Sequence, residues 1–382
     1  MTKTVFTNAR IVLADSVIES GTVVADAAGN IDAVEEGRSA ASDAVDFDGD
    51  YLLPGLVELH TDNLEKHATP RPKADWPAIP AVIAHDSQLT ISGITTVFDA
   101  IALGAVMEGS ERIEKLQKMV EGIAEARDKG LLRADHLLHL RCEISYPGLR
   151  EIFDPLVSHP LLRLVSIMDH TPGQRQFVDE EKYHTYYQGK FGLSDAEMKA
   201  FTAARKRDAA EYGPGHRRHV VSVCQERGIG LASHDDATAA HVDEAISDGM
   251  SIAEFPTTVE AAKASHAAGL SVMMGGPNLV RGGSHSGNVS AVELARADML
   301  DIISSDYIPS SMLHGAFKLN DELTGFDLPR AVRSISKTPA DAAGLNDRGE
   351  IAVGKRADLI RVRYTPEHPL VRGVWRAAHR VA

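Results

Sequence analysis

Apolar runs of strand length alternate with helical segments through most of this chain, from Pro54 to about Leu345. This alternation predicts βα units and a parallel sheet, because parallel strands need a long crossover, usually a helix, between them. Eight runs carry the pattern: Gly55–Asp62, Ile94–Leu103, Asp135–Ile144, Leu161–His170, Ile229–His234, Ser251–Phe255, Leu270–Gly275 and Leu300–Asp306. Eight such strands predict an α/β fold, a TIM-like (β/α)8 barrel whose catalytic groups lie at the carboxyl ends of its strands.

Both ends of the chain have a different pattern, with short alternating strands broken by turn residues. This pattern predicts a small β-sandwich domain that both chain ends form together, from residues 1–53 and 346–382. The barrel at 54–345 is inserted between them. Residues 173–213 are too polar and too long for a plain loop, so we expect a helical insertion over the barrel mouth. Its helix is expected over Phe191–Tyr212, and a further helix over Arg217–Arg227.

Composition excludes several classes of protein. The 382 residues contain 40 Lys and Arg against 54 Asp and Glu, and a formal charge of -14 argues against a nucleic-acid binder. No apolar run approaches the roughly 18 residues that a membrane helix needs, and the N-terminus lacks the pattern of a signal peptide. Cys142 and Cys224 are the only cysteines, which excludes a disulfide framework. We therefore expect a cytoplasmic protein that binds neither nucleic acid nor membranes.

Histidines and carboxylates recur where the predicted strands end. Strand alternation places Glu58, His60 and Asp62 on one face of the first strand. A lone histidine at a strand end is usually structural, but six candidates from five strands favour a site: His60, Asp62, Glu143, His170, His234 and Asp306. Strand ends converge at the mouth of a barrel, and these side chains are typical of a hydrolytic site for divalent ions.

Several motifs resemble a known family. Leu53–His60 and Gly354–Leu359 resemble the opening and the C-terminal return of the amidohydrolase superfamily. Five further motifs are more specific: His60–His67, Met168–Gln174, Ser233–Thr238, Gly282–Asn288 and Ser305–Tyr307. Together they resemble the PhnM family of bacterial phosphonate degradation, over nearly the whole chain.

The resemblance implies a metal-dependent diphosphohydrolase, a hydrolase of phosphorus-containing anhydrides. Such an enzyme cleaves α-D-ribose 1-methylphosphonate 5-triphosphate to the 5-phosphate and diphosphate by attack of a metal-bound hydroxide. It implies one or two divalent ions on His60, Asp62, Glu143, His170, His234 and Asp306, with Glu143 as a bridging ligand and with catalytic roles for Asp306 and Glu143. Zinc is the metal we favour, with manganese or iron as alternatives, because Asp62 replaces the usual histidine with a harder oxygen ligand. Glu143 also departs from the superfamily, in which a bridging lysine commonly lies one strand later.

A glycine-rich segment after the seventh predicted strand is a candidate for phosphate binding. Its candidate residues are Arg281, Gly282, Gly283, Ser284, His285 and Asn288. Glycines let backbone N–H groups approach phosphate oxygens, and an arginine can add a bidentate contact. Lys66, His67, Arg71 and Arg175 are further candidate substrate-binding cations on predicted mouth loops.

Two other functions remain open. An amidohydrolase or deaminase acting on a cyclic amide or amine would use the same metals, although a neutral ring does not need the arginine and the glycine-rich loop. The chain could instead be a catalytically silent subunit of a phosphonate-processing assembly, which metal analysis would test. A small phosphorylated ribosyl phosphonate is the expected substrate, and association into a homo-oligomer is open.

Overall fold

The N-terminal strands begin a sheet that the C-terminal strands complete. A computed structural model of the protein describes residues 3–104, 112–177, 180–284 and 287–382. Its first five strands are β1 (Thr4–Val12), β2 (Val17–Ala25), β3 (Ile31–Glu36), β4 (Val45–Asp46) and β5 (Tyr51–Pro54). β1 pairs antiparallel with β2 and parallel with β5, so the strand that leads into the rest of the chain is anchored next to the first.

Within the described residues, eight parallel strands form the second sheet, and their order in space follows their order in the chain. They are β6 (Leu56–Thr61), β7 (Ile94–Leu103), β8 (Asp135–Glu143), β9 (Leu162–Met168), β10 (Gly230–His234), β11 (Ile252–Glu254), β12 (Ser271–Gly275) and β13 (Ile302–Ser304). All eight predicted strands are confirmed, with ends that differ by no more than two residues.

The first and last barrel strands meet at a seam that side chains help to close. A single parallel bridge joins Thr61 to Asp306, and the amide of Asp306 donates to the carbonyl of His60 at 3.0 Å. Below it, the Glu58 carboxylate accepts from the amides of His60 at 2.6 Å and Ser305 at 2.5 Å. Glu58 therefore lies in the seam and does not line the barrel mouth with His60, although strand alternation predicts one face for both.

Helices surround the barrel. In the described part of the chain they are α1 (Leu64–Ala68), α2 (Ala78–Ile91), α3 (Arg112–Asp128), α4 (Leu149–Phe153), α5 (Glu180–Phe191), α6 (Asp195–Arg227), α7 (Ala239–Ser247), α8 (Val259–Ala267), α9 (Gly276–Arg281), α10 (Ala291–Arg296), α11 (Ser311–Glu322), α12 (Leu328–Arg333) and α13 (Lys337–Ala342). None of these described helices is long and apolar enough to cross a membrane.

The region after β9 forms two helices whose bounds differ from the prediction. A helix already begins at Glu180, and α6 runs without interruption from Asp195 to Arg227, through Pro214. Its start is fixed by a capping box between Ser194 and Glu197. Burial of the segment after Pro214 against the barrel offsets the hydrogen bond that the proline cannot make, so the two expected helices are one.

Three C-terminal strands complete the small sheet: β14 (Leu359–Arg363), β15 (Leu370–Arg376) and β16 (His379–Arg380). β14 pairs antiparallel with β5, so both chain ends share one sheet, and the aromatic rings of Phe6, Phe47 and Trp375 pack in its core. The expected division at residues 53 and 345 stays a prediction.

Asp135, at the first residue of β8, joins the two sheets. Its carboxylate accepts hydrogen bonds from Arg348 at 2.8 Å, Arg356 at 2.6 Å and Arg376 at 3.2 Å. This contact lies at the amino end of a barrel strand and therefore opposite the mouth.

Candidate metal centre and active site

A cavity of about 390 Å³ opens at the carboxyl ends of the barrel strands. Its wall includes all six candidate ligands: His60, Asp62, Glu143, His170, His234 and Asp306. They come from the ends of β6, β8 and β10 and from the residues that follow β6, β9 and β13. The barrel therefore brings together side chains that are up to about 245 positions apart in the chain, as its geometry requires.

Three of the lining side chains have the spacing of an ion's ligands. Asp235 Oδ2 lies 3.6 Å from His170 Nε2 and 3.4 Å from His234 Nε2. Two donors that each bind an ion at about 2.1 Å with a tetrahedral angle lie roughly 3.4 Å apart, so one divalent ion fits between them. Asp235 has a φ of 58°, in the left-handed region, and this strained backbone turns its carboxylate toward the two imidazoles.

A buried glutamate orients two of the histidines. Glu254, at the end of β11, accepts from His60 Nδ1 at 2.6 Å through one oxygen and from His234 Nδ1 at 2.5 Å through the other. Burial favours its neutral form, but the imidazoles outweigh burial and hold the pKa of Glu254 well below its usual value. Both Nδ1 atoms thus carry the proton, and both Nε2 atoms keep the lone pair that an ion needs.

Glu143 performs the same task for the third histidine. One of its oxygens lies 2.6 Å from His170 Nδ1, and the other accepts from the Ser145 hydroxyl at 2.6 Å and the His170 amide at 3.2 Å. Burial would raise its pKa, but His170 lowers it. Glu143 in this arrangement orients His170, and the predicted bridging role would require it to release that imidazole.

Asp62 and Asp306 face the cavity from the seam. Asp62 Oδ1 is buried and has no hydrogen-bond partner within the described residues. A buried carboxylate oxygen without a partner is costly unless a cation or donor satisfies it. Asp306 has a φ of 53°, which holds its carboxylate beside Gly275 at the end of β12. The donor set therefore fits divalent ions, with imidazole and carboxylate ligands in excess of what one ion requires.

A second buried group of histidines and carboxylates does not have ligand spacing. Asp99 lies 2.8 Å from His85 Nε2 and 2.8 Å from His136 Nδ1, which are hydrogen-bond lengths. His85 Nδ1 lies 3.1 Å from the side-chain Nδ2 of Asn63, the residue that follows Asp62. These hydrogen bonds hold Asn63, and with it the segment that follows β6, against the buried group.

The pKa values within that group identify its charged members. Burial alone would lower the pKa of His136, but Asp99 and Asp86 raise it to about 9. Burial would raise the pKa of Asp99, whereas the two imidazoles lower it to about 2. Asp99 and His136 therefore form a buried ion pair at neutral pH, and burial lowers the pKa of His85.

Part of the glycine-rich segment lies over the cluster. Arg281, at the C-terminal end of α9, lines the cavity, as do Gly283, Ser284 and Asn288. Gly282 ends α9 with a φ of 82°, a left-handed conformation that glycine adopts without strain. His285 lies outside the described residues.

The other predicted substrate-binding cations lie outside the cavity wall. The Lys66 ammonium donates to the carbonyl of Tyr307, a lining residue, and lies 5.3 Å from the centre of its ring. His67 Nε2 lies 2.9 Å from Gln88 Oε1, and Arg71 is on an exposed turn. Arg175 is buried at 4% exposure and is paired with Asp236 and with Glu244.

Three residues of this site were missed by the sequence reasoning. Asp235 lies inside a quoted motif, Glu254 is an acidic residue within the apolar run of its strand, and Arg141 precedes Glu143 by two positions. A charged residue inside a buried strand was the signal available for Glu254 and Arg141, because such a residue needs a partner or a function.

Comparison with known proteins decides the family. The model of the amidohydrolase family matches residues 180–379. The chain belongs to the amidohydrolase family. Members of this family are metal-dependent hydrolases, and the imidazole and carboxylate groups of this chain could hold divalent ions.

One relative is similar over its whole length and over almost the whole of this chain. The α-D-ribose 1-methylphosphonate 5-triphosphate diphosphatase of Escherichia coli (strain K12) is 49% identical over 99% of this chain and 100% of its own. N-acetylglucosamine-6-phosphate deacetylase from Pasteurella multocida covers 100% of both chains with a TM-score of 0.63 at 15% identity. N-isopropylammelide isopropylaminohydrolase from Burkholderia multivorans covers 100% of this chain and 98% of its own, with a TM-score of 0.64 at 16% identity. The two solved structures establish similarity of fold alone.

Proposed function

We propose that this protein hydrolyses α-D-ribose 1-methylphosphonate 5-triphosphate to the 5-phosphate and diphosphate, as a step of phosphonate catabolism. The observation that carries the proposal is the 49% identity to a diphosphatase of that substrate over 99% of the chain. The cavity supports it, because an arginine and a glycine-rich segment lie beside a cluster that fits divalent ions. A neutral cyclic amide would need no such cations.

We assign the ligands of the ions to two groups. His170, His234 and Asp235 would hold one ion, and His60, Asp62 and Asp306 would hold a second. Glu254 and Glu143 keep the imidazoles oriented from outside these groups. Zinc is the metal we favour, with manganese or iron as alternatives because half of the ligands are carboxylates.

The reaction is the attack of water on an anhydride phosphorus. Divalent ions at this site would lower the pKa of the attacking water and withdraw charge from the phosphate oxygens. The oxygen of water forms a bond to phosphorus, the bond to the bridging oxygen breaks, and the leaving oxygen keeps the electron pair. Asp306, at the cavity wall, would accept the proton of the water, and Arg281 would hold the outer phosphates.

Phosphorus NMR of the metal-loaded protein with the ribosyl methylphosphonate 5-triphosphate tests this function. We expect the triphosphate signals to be replaced by those of diphosphate and a monophosphate ester. A His234→Ala variant provides the inactive control, and a dihydropyrimidine provides the alternative substrate. Turnover of the cyclic amide with no release of diphosphate would overturn the proposal.

The cellular location is a proposal as well. The two cysteines, Cys142 and Cys224, are buried thiols without a disulfide, which suits a reducing compartment such as the cytoplasm. Association into a homo-oligomer stays a prediction, which light scattering of the metal-loaded protein would test.

A further inference from the structure

Arg141 is a charged residue on the inner wall of the barrel. It lies on β8 two positions after His139 and two before Glu143, so strand alternation turns all three side chains to the same side. Arg141 and Glu143 both line the cavity. The position is therefore deeper than Arg281, which is exposed at the C-terminal end of α9.

Within the described residues Arg141 forms no salt bridge, although its charge favours the ionised form of the nearby Asp235 carboxylate. Its Nε is buried without a hydrogen-bond partner, and the arginine forms no ion pair with a carboxylate of the described chain. The buried arginines of the described chain are paired: Arg175 with Asp236 and Glu244, and Arg217 with Glu244 at 2.8 Å and Asp248 at 2.6 Å. A guanidinium cannot lose its proton in a protein, so an unpaired one at a cavity wall is retained at a cost.

The charges of the cavity indicate what Arg141 binds. The described wall carries four carboxylates, Asp62, Glu143, Asp235 and Asp306, and two arginines, Arg141 and Arg281. The carboxylates face the positions where ions fit, or orient an imidazole there. An anion that reaches this depth would lie within reach of both the ions and Arg141, because the candidate ligands and Arg141 line the same cavity. The planar fork of a guanidinium matches two oxygens of one phosphoryl group.

We propose that Arg141 is a catalytic residue that holds the non-bridging oxygens of the phosphoryl group under attack. This inference rests on the proposed function and assigns the depth at which the triphosphate is cleaved. As water bonds to phosphorus and the bridging bond breaks, charge redistributes over those oxygens, and Arg141 stabilises it while keeping its own protons. Arg281 then binds phosphates that do not react.

Substitution of the two arginines should therefore change different steady-state parameters. Arg141→Met should lower kcat by about 10²–10³-fold, the effect of losing one preorganised donor, with KM changed by less than about fivefold. Arg281→Ala should act mainly on KM. The control is Arg372→Met, an exposed position on β15 in the other sheet. Metal content and thermal unfolding of each variant are measured on the same samples.

Chemical rescue separates this role from a structural one. In Arg141→Ala, added guanidinium should restore turnover by about tenfold or more, since it supplies the missing charge without repairing the chain. An Arg141→Met variant with kcat within about threefold of the parent would overturn the inference. Loss of metal in both variants with no rescue by guanidinium would overturn it as well, because Arg141 would then only support the ligand cluster. If the parent protein itself releases no diphosphate, the proposed function fails, which is a distinct outcome.

Discussion

Replacing Glu254 by glutamine should disable one of the two histidines that it orients. The carboxylate accepts from both Nδ1 atoms, at 2.6 Å from His60 and 2.5 Å from His234. Glutamine keeps the shape but offers one oxygen and one NH2 group. The imidazole that faces the NH2 must accept a hydrogen bond at Nδ1, so its proton moves to Nε2, where the lone pair for an ion is lost.

The magnitude follows from the contact that is lost. Mutation of an outer partner of a metal-binding histidine typically weakens metal affinity by about 10–100-fold. This range corresponds to about 1.4–2.7 kcal/mol of binding free energy. Both contacts of Glu254 are short and buried, so we expect the upper half of this range.

Competition with a chelator measures this effect on metal-loaded protein. Glu254→Gln should release at least one ion at chelator concentrations that leave the parent loaded, and Glu293→Gln on the exposed face of α10 should behave as the parent. Glu254→Asp is shorter by one methylene group and should reach one imidazole only, with a similar loss. Parent affinity in Glu254→Gln would refute the tautomer argument, and the ligands would then have to bind without orientation from β11.

Three further predictions concern other parts of the molecule. Arg281→Ala should lower kcat/KM for the triphosphate by about tenfold, or about 1.4 kcal/mol, with metal content unchanged, as steady-state kinetics will show. His136→Gln should remove a contribution of up to about 3 kcal/mol to the free energy of unfolding. A raised folded-state pKa of about 9 makes this contribution complete below the ordinary pKa of 6.5 and lost as pH rises through 9, so parent and variant should converge in denaturant titrations at high pH. Asp135→Asn should cost about 1–2 kcal/mol in thermal unfolding without changing metal affinity, because three partly exposed arginines lose a shared anionic partner far from the mouth.

The barrel was predictable because each buried parallel strand is a continuous apolar run with a polar end. The same rule located His60, His170 and His234 at the mouth. It could not show the 2.6 Å contact between Glu143 and His170 Nδ1, since whether a carboxylate faces an ion or an imidazole depends on side-chain direction. Glu254 is visible in the sequence as an acidic residue inside an apolar strand. Only the structure shows that its carboxylate contacts two histidines.

Regions outside the strands were less predictable. Arg175 is a cation in a segment expected at the barrel mouth. Its burial beside Asp236 depends on how the segment after β9 folds, and the local sequence pattern does not predict that fold. The interruption expected near Pro214 did not occur, because packing of α6 against the barrel outweighs the local preference of proline.

The seam between Thr61 and Asp306 has a consequence for biosynthesis. The two residues are 245 positions apart, so the ribosome has made most of the chain before the second side of the seam exists. The small sheet is also completed late, because β5 pairs with β14, which is synthesised near the end of the chain. A nascent chain can therefore present His60 and Asp62 long before Asp306 arrives, and premature ion capture there would use an incomplete ligand set. Metal loading of this enzyme should follow release from the ribosome, and chains that stop before Asp306 should be substrates for proteases and not partly active enzymes.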